Sequence, residues 1–276
     1  MSLTIASINS GSNGNCYYVG NRNEAVLIDA GISLKETEQR MRNLNLAIEN
    51  VKALFISHEH IDHIRGVAQL SKKYFIPVYI KPLAYKHSGL RIAPEFMHNF
   101  NCNEKISIGN LQVTAFDKHH DAHDPVSFVV EHNGIKAGVI TDIGIACKRV
   151  IHYFKQCHAC FLESNYDEQM LEDGGYPQRL KNRISGGNGH LSNSQALELF
   201  VKHKPKHMSH LLLSHLSKNN NHPGLVHELF LKNADEINII VASRDEESSV
   251  FEIAGEVRRE LVTLAMKKEM VQLNLF

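Results

Sequence analysis

Tryptophan is missing from this 276-residue chain, and no apolar run reaches the roughly 18–20 residues of a membrane-spanning helix. The opening residues, MSLTIASINS, contain no basic segment leading into an apolar one, so no secretory signal is expected. Neither sign of charge dominates, with 30 Lys and Arg against 30 Asp and Glu. That excludes a histone-like cationic coat and leaves room only for a local basic patch. The 5 cysteines are odd in number and follow no disulfide pattern, which predicts reduced thiols and a cytoplasmic protein. Even Cys157-His-Ala-Cys160, half of a zinc knuckle by spacing, has no second pair and reads as strand core. A hydrophobic share of 43% and a charged share of 22% are those of a folded domain, not a disordered chain.

What the chain has in excess is histidine, 18 residues against 8 tyrosines. Histidine is the commonest metal ligand and the usual proton shuttle near neutral pH, so clustering decides what the excess means. Short apolar runs alternate with helical patterns throughout. Strands are expected at Ala25–Ile28, Ala53–Ser57, Lys136–Thr141, Ala159–Glu163 and His210–Leu213, among others. Helices are expected at Leu34–Leu44, His63–Tyr74, Gln178–Ile184 and Ser194–Lys202. Ser33-Leu-Lys-Glu36 and Ser192-Asn-Ser-Gln195 have the form of capping boxes at two of these starts. No linker divides residues 1–255, while residues 256–276 read as a C-terminal helix and tail.

An internal echo links Ala25-Val-Leu-Ile-Asp-Ala-Gly31 to Gly138-Val-Ile-Thr-Asp-Ile-Gly144: a buried strand ending in Asp, then Gly. Two halves built this way predict an α/β fold, an αββα sandwich of two mixed sheets flanked by helices. Ligands of α/β proteins collect at the carboxyl ends of strands, where those aspartates lie.

The densest cluster is His58-Glu-His60-Ile-Asp62-His63. On an extended chain, residues two apart face the same way, so His58 and His60 can grip one ion. Asp62 and His63 fall in the first turn of the following helix, where they can face a second ion. Further ligands have to come from other strand ends. His119, His120 and His123 are equal candidates from spacing alone, and Asp142 and His215 each end an apolar run.

The His-x-His-x-Asp-His pattern resembles that of the metallo-β-lactamase superfamily, and the likeness extends over essentially the whole chain. Later segments resemble its YycJ/WalJ-type branch of 5′→3′ exonucleases: His120-Asp-Ala, Thr141-Asp-Ile-Gly144, Glu163-Ser-Asn, Tyr176–Ile184, Gly189-His-Leu-Ser-Asn193 and His215-Leu-Ser. The resemblance implies a first ion held by His58, His60 and His120, a second by Asp62, His63 and His215, and a bridge between them from Asp142. His120 is preferred because the family places the ligand just before Asp-Ala. Asp29 matches a supporting carboxylate. The implied cofactors are two divalent ions, Zn²⁺ first and Mn²⁺ second, and the implied nucleophile is a hydroxide bridging them. Asp62, His190 and Glu163 are the expected catalytic residues, His190 as proton donor to the leaving oxygen and Glu163 as its partner.

The expected function is phosphodiester cleavage in nucleic acid, DNA rather than RNA. A small-molecule phosphodiesterase or thioesterase is the alternative, and a non-enzymatic adaptor a more distant one. Arg179, Lys181 and Arg183 are candidate contacts to flanking phosphates. The loop Ser10–Asn15 is a candidate cradle for a terminal phosphate. The final residues Gln272, Leu273, Leu275 and Phe276 resemble the bacterial sliding-clamp-binding motif, with two adjacent apolar anchors.

Overall fold

A computed structural model describes residues 2–255. The expected C-terminal helix and the tail residues Gln272, Leu273, Leu275 and Phe276 lie outside the described residues. The first six strands are β1 (Ser2–Asn9), β2 (Cys16–Gly20), β3 (Ala25–Ile28), β4 (Val51–Phe55), β5 (Val78–Tyr79) and β6 (Met97–His98). The next seven are β7 (Lys105–Ile108), β8 (Leu111–Asp117), β9 (Val126–His132), β10 (Ile135–Ile140), β11 (Ala159–Glu163), β12 (His210–Ser214) and β13 (Asn238–Val241). The last, β14 (Phe251–Ala254), returns to the edge of the first sheet.

The first sheet runs β14-β1-β2-β3-β4-β5-β6 and the second β13-β12-β11-β10-β9-β8-β7. In each, an antiparallel meander passes into parallel strands: β3 to β6 in the first, β10 to β13 in the second. Strands β2, β3 and β11 are buried at every residue, which is why their sequences, save Glu163 at the end of β11, are apolar rather than alternating.

Apolar side chains form three layers. Leu3, Val26, Phe55, Phe128 and Phe161 lie in the core between the sheets. Leu27, Met41, Leu54 and Leu70 pack the outer face of the first sheet against the helices Leu34–Asn43 and Val67–Tyr74. Leu162, Phe200 and Phe230 do the same for the second sheet, under the helices Lys148–Phe154, Asn193–His203 and Pro223–Leu231. This is the αββα sandwich expected from the echo. Both capping boxes are present, Ser33 with Glu36 and Ser192 with Gln195.

Local chemistry explains where the expected elements shift. The single helix expected over His63–Tyr74 is two, Ile61–Ile64 and Val67–Tyr74. They part at Gly66, whose N–H donates to the carbonyl of Ala30 at 2.8 Å. A Cβ there would stand 2.3 Å from the carbonyl oxygen of Ile32, so the first sheet's loop is wedged into the break. Strands β6 and β7 and the helices Pro82–Ser88 and Glu168–Asp173 were not expected, being short and without clear periodicity.

Candidate metal centre

Loops leaving the carboxyl ends of β3, β4, β8, β10, β11 and β12 converge on one side of the sandwich. They bring Asp29, His58, His120, Asp142, Glu163 and His215 to one place. Three of these residues adopt the left-handed region that non-glycine residues usually avoid: Asp29 at φ 61°, Asp142 at 54° and His215 at 57°. Such conformations persist when the surroundings fix them, and they mark sites where a side chain has been aimed. Asp29 is held by its N–H on the carbonyl of Phe55 at 2.8 Å. His215 is held by its N–H on the hydroxyl of Ser10, also at 2.8 Å. Gly31 makes the site compact, since a Cβ there would fall 1.6 Å from the carbonyl oxygen of Asp62.

Five imidazoles turn one nitrogen inward. Ser57 donates its hydroxyl proton to Asp29 Oδ2 at 2.8 Å, so its oxygen accepts from Nδ1–H of His58 at 2.9 Å. His63 donates Nδ1–H to Asp29 Oδ2 at 2.7 Å, and His120 donates to the carbonyl of Gly189 at 3.1 Å. His215 donates to Glu163 Oε1 at 3.1 Å. In each of these four, Nδ1 is spent on the protein and Nε2 faces the centre. His60 is turned the other way, its Nδ1 lying 3.1 Å from His58 Nε2.

The inward atoms fall into overlapping groups that can hold a metal ion: His58 with His60 and His120, Asp62 with His63 and His215, and His58 with His63 and Asp142. Asp142 sits between the trios. Its Oδ2 is 3.5 Å from His63 Nε2, and its Oδ1 is 3.5 Å from His215 Nε2 and 3.9 Å from His120 Nε2.

The test of whether these residues fit a metal is what they leave unpaired. His120 Nε2, His215 Nε2 and Asp142 Oδ2 are buried and have no hydrogen-bond partner. Buried polar atoms are almost always paired, and three orphans converging on one point are accounted for by a cation. The donors, imidazole nitrogen with carboxylate oxygen, suit a divalent transition ion.

Electrostatics divides the cluster. Burial pushes His58 well down from its ordinary value and His120 down to about 4. Burial opposes the charging of His63 and His215 too, but Asp142 and neighbouring carboxylates outweigh it, lifting His63 well up and His215 to about 10. The same pairs hold Asp62 and Asp142 well below the usual carboxylate range against the cost of burial.

Beside the cluster, Glu163 accepts from Nδ1 of His190 at 2.7 Å, and its second oxygen accepts from the N–H groups of Ile143 and Leu191. It is fully buried, yet His190 and His215 hold its carboxyl down at about 2. The His190 ring lies 5.2 Å from those of both His120 and His215.

Of the three candidates His119, His120 and His123, only His120 enters the centre. His119 serves through its carbonyl, which accepts from Gly144 N, and His123 pairs outside with Glu59. Asn15, inside the expected phosphate cradle, instead braces the centre: its side-chain amide lies 3.2 Å from Asp62 Oδ2 and 3.1 Å from His63 Nε2. The N–H groups of Ser10, Gly11, Gly14 and Asn15 are all taken within the protein, so of the expected cradle only Ser12 and Asn13 are left to offer theirs. Arg179, Lys181 and Arg183, the candidate phosphate contacts, do not share one face. On the helix Gln178–Ser185 a spacing of two turns Lys181 away from the other two, onto the carbonyl of Glu172. Arg183 reaches Asp121, beside His120.

Sequence reasoning missed Ser57, Asn165 and Lys118. Asn165 donates its side-chain amide to the carbonyl of His215, and Lys118 is buried with its ammonium on the carbonyl of Thr141. The place of Ser57, directly before His58, was the one signal available. The role of Glu163 was half seen, because it orients His215 as well as His190.

Two packed mixed sheets with this histidine and aspartate cluster at their strand ends define a metallo-β-lactamase-fold metal centre. Residues 24–215 match the β-lactamase superfamily domain. The chain is 34% identical to exodeoxyribonuclease YycJ of Bacillus anthracis, over 80% of this chain and 85% of that one. It is 30% identical to exodeoxyribonuclease WalJ of Streptococcus pneumoniae, over 79% and 83%. The metallo-β-lactamase fold protein YhfI of Bacillus subtilis superposes with a TM-score of 0.71 at 14% identity, covering 91% of this chain and 100% of that one. The chain belongs to the metallo-β-lactamase superfamily and, within it, to the YycJ/WalJ family.

Proposed function

We propose that the protein is a metal-dependent phosphodiesterase that removes nucleotides from DNA. The observation that carries this reading is the trio of buried, partnerless atoms on His120, His215 and Asp142. In this reading His58, His60 and His120 hold one divalent ion, Asp62, His63 and His215 a second, and Asp142 both. Bound ions would polarise the scissile phosphodiester and make water a competent nucleophile near neutral pH.

The chain's own residues supply the rest. Glu163 fixes His190 through Nδ1 and leaves Nε2 as a proton donor to the departing oxygen. Asp29 and Ser57 engage Nδ1 of His63 and His58, so Nε2 of each is the atom that would face an ion. The names of the YycJ and WalJ relatives support DNA as the substrate. Zn²⁺ is the proposed bound ion, with Mn²⁺ the alternative that metal analysis distinguishes.

The test is full-chain protein with Zn²⁺ or Mn²⁺, given 5′- and 3′-labelled single and double strands of DNA and RNA. A ladder of mononucleotide steps on DNA is expected. Hydrolysis confined to small phosphodiesters or thioesters would sink the reading. The C-terminal residues Gln272, Leu273, Leu275 and Phe276 are proposed to dock on the bacterial sliding clamp, tethering the enzyme to DNA. Calorimetry with clamp should give micromolar binding that is lost when Leu275 and Phe276 become Ala.

A further inference from the structure

Outside the metal cluster, the contact between Glu59 and His123 has no task in the chemistry above. Glu59 stands between His58 and His60 in the chain, and its carboxylate turns outward to His123. Its Oε1 lies 2.6 Å from His123 Nδ1, and both its oxygens accept from the His123 N–H at 3.1 Å. The Glu59 side chain is 10% exposed and that of His123 46%. A carboxylate rooted between two histidines of the centre therefore fixes an exposed ring at its rim.

That ring is stacked on His87, with centroids 3.7 Å apart and planes within 1°. His87 is exposed and stands near the end of the helix Pro82–Ser88, whose Ala84 is buried against the first sheet. Two parallel imidazoles are thus held in the open, one on a carboxylate and one on a helix, beside the His58, His60 and His120 side of the centre. Lys86, exposed on the same helix, adds a cation at this rim. A ring that burial does not require, already immobilised before any ligand arrives, loses little conformational freedom when a flat partner joins the stack. Nucleobases are such partners, since every base has a π-face and stacking on it is tolerant of sequence.

We infer that His87 and His123 form a nucleobase-stacking platform that seats an unpaired base of the substrate next to the metal centre. The inference rests on the nucleic-acid reading above and sharpens it: the preferred substrate carries unpaired bases at this position, and the strand is gripped without base-specific hydrogen bonds.

The test is binding, separate from turnover. Metal-loaded full-chain protein is titrated into two fluorescent, phosphorothioate-linked DNA hexamers, one with bases and one abasic. The intact protein should hold the base-bearing hexamer about tenfold more tightly, the usual scale for one base on an aromatic ring. His87→Ala should erase that preference, and His87→Phe should keep it. Among the described residues His87 makes no hydrogen bond or ion pair beside the stack, and a melting curve checks that the fold is intact. The platform is overturned if intact protein shows no preference, if His87→Ala keeps it in full, or if His87→Ala weakens both hexamers equally. Failure of the nuclease reading looks different: the base preference persists while unmodified hexamers are not cleaved under any metal.

Discussion

The two halves of the sandwich end a buried strand in the same way and use the result differently. Asp29 follows β3 and Asp142 follows β10 closely, and both take the left-handed conformation with a glycine two residues on. Asp29 is saturated by the protein: it accepts from Ser57 N, Ser57 Oγ and His63 Nδ1 at 2.7–2.8 Å. Asp142 has an oxygen with no partner, surrounded by inward imidazole nitrogens. One geometry therefore serves two ends. A strand-end carboxylate whose valences the protein fills is a brace, and one whose valences it leaves open is a ligand.

Substitution should separate the two aspartates. Asp142→Ala removes the carboxylate shared between the trios, and loss of at least one metal and essentially all turnover is expected with the fold retained. Metal analysis showing two ions bound at full activity would refute the shared role. His190→Ala should keep the metals and slow cleavage by about 10²–10⁴-fold, the usual range for a general acid. The slowing should shrink for a nitrophenyl phosphodiester, whose leaving group needs no proton, and equal slowing on both substrates would remove that assignment. Asp29→Asn should be milder for chemistry. It keeps the shape but offers a donor where His63 donates, so a loss of about 10–100-fold in metal affinity is expected, as for other groups that orient a ligand. Titration with a metal indicator reads this, and unchanged affinity would mean that Asp29 serves the fold alone.

The same contrast explains what the sequence makes legible. Strand-end aspartates and a histidine run are local patterns, so the sandwich, the His58–His63 segment and the echo can be read without coordinates. The neighbours that fill Asp29 and leave Asp142 open are distant in sequence: Ser57 for the first, His63, His120 and His215 for the second. Nothing in the local pattern tells Asp29 from Asp142, and the resemblance to a known family is what divides them. Contacts through backbone atoms leave no trace in residue type either. The carbonyl of Gly189 fixes His120, and the N–H groups of Ile143 and Leu191 fix Glu163. Arg179, Lys181 and Arg183 part for a related reason, because alternate spacing is one face on a strand and two faces on a helix.

The smallest expected effect compares the two metal-holding trios through their protons. With metal absent at pH 7, His63 and His215 carry protons, because the carboxylates around them lift both above neutrality. Burial holds His58 and His120 below it, so they are already neutral. A metal takes only the neutral imidazole, so filling the Asp62, His63 and His215 trio should release more protons than filling the His58, His60 and His120 trio. The metal-free fold should carry both signatures. Raised values in His63 and His215 stabilise it fully below the unfolded histidine value of about 6.5, and this is lost as pH rises through about 10 for His215. The depressed value of His120 does the reverse: its contribution is present above about 6.5 and lost as pH falls through about 4. Calorimetric metal titration in two buffers of different ionisation enthalpy counts the protons directly. Unequal release over the two equivalents is the expected result. Equal release from both would mean that the carboxylates do not divide the cluster in this way.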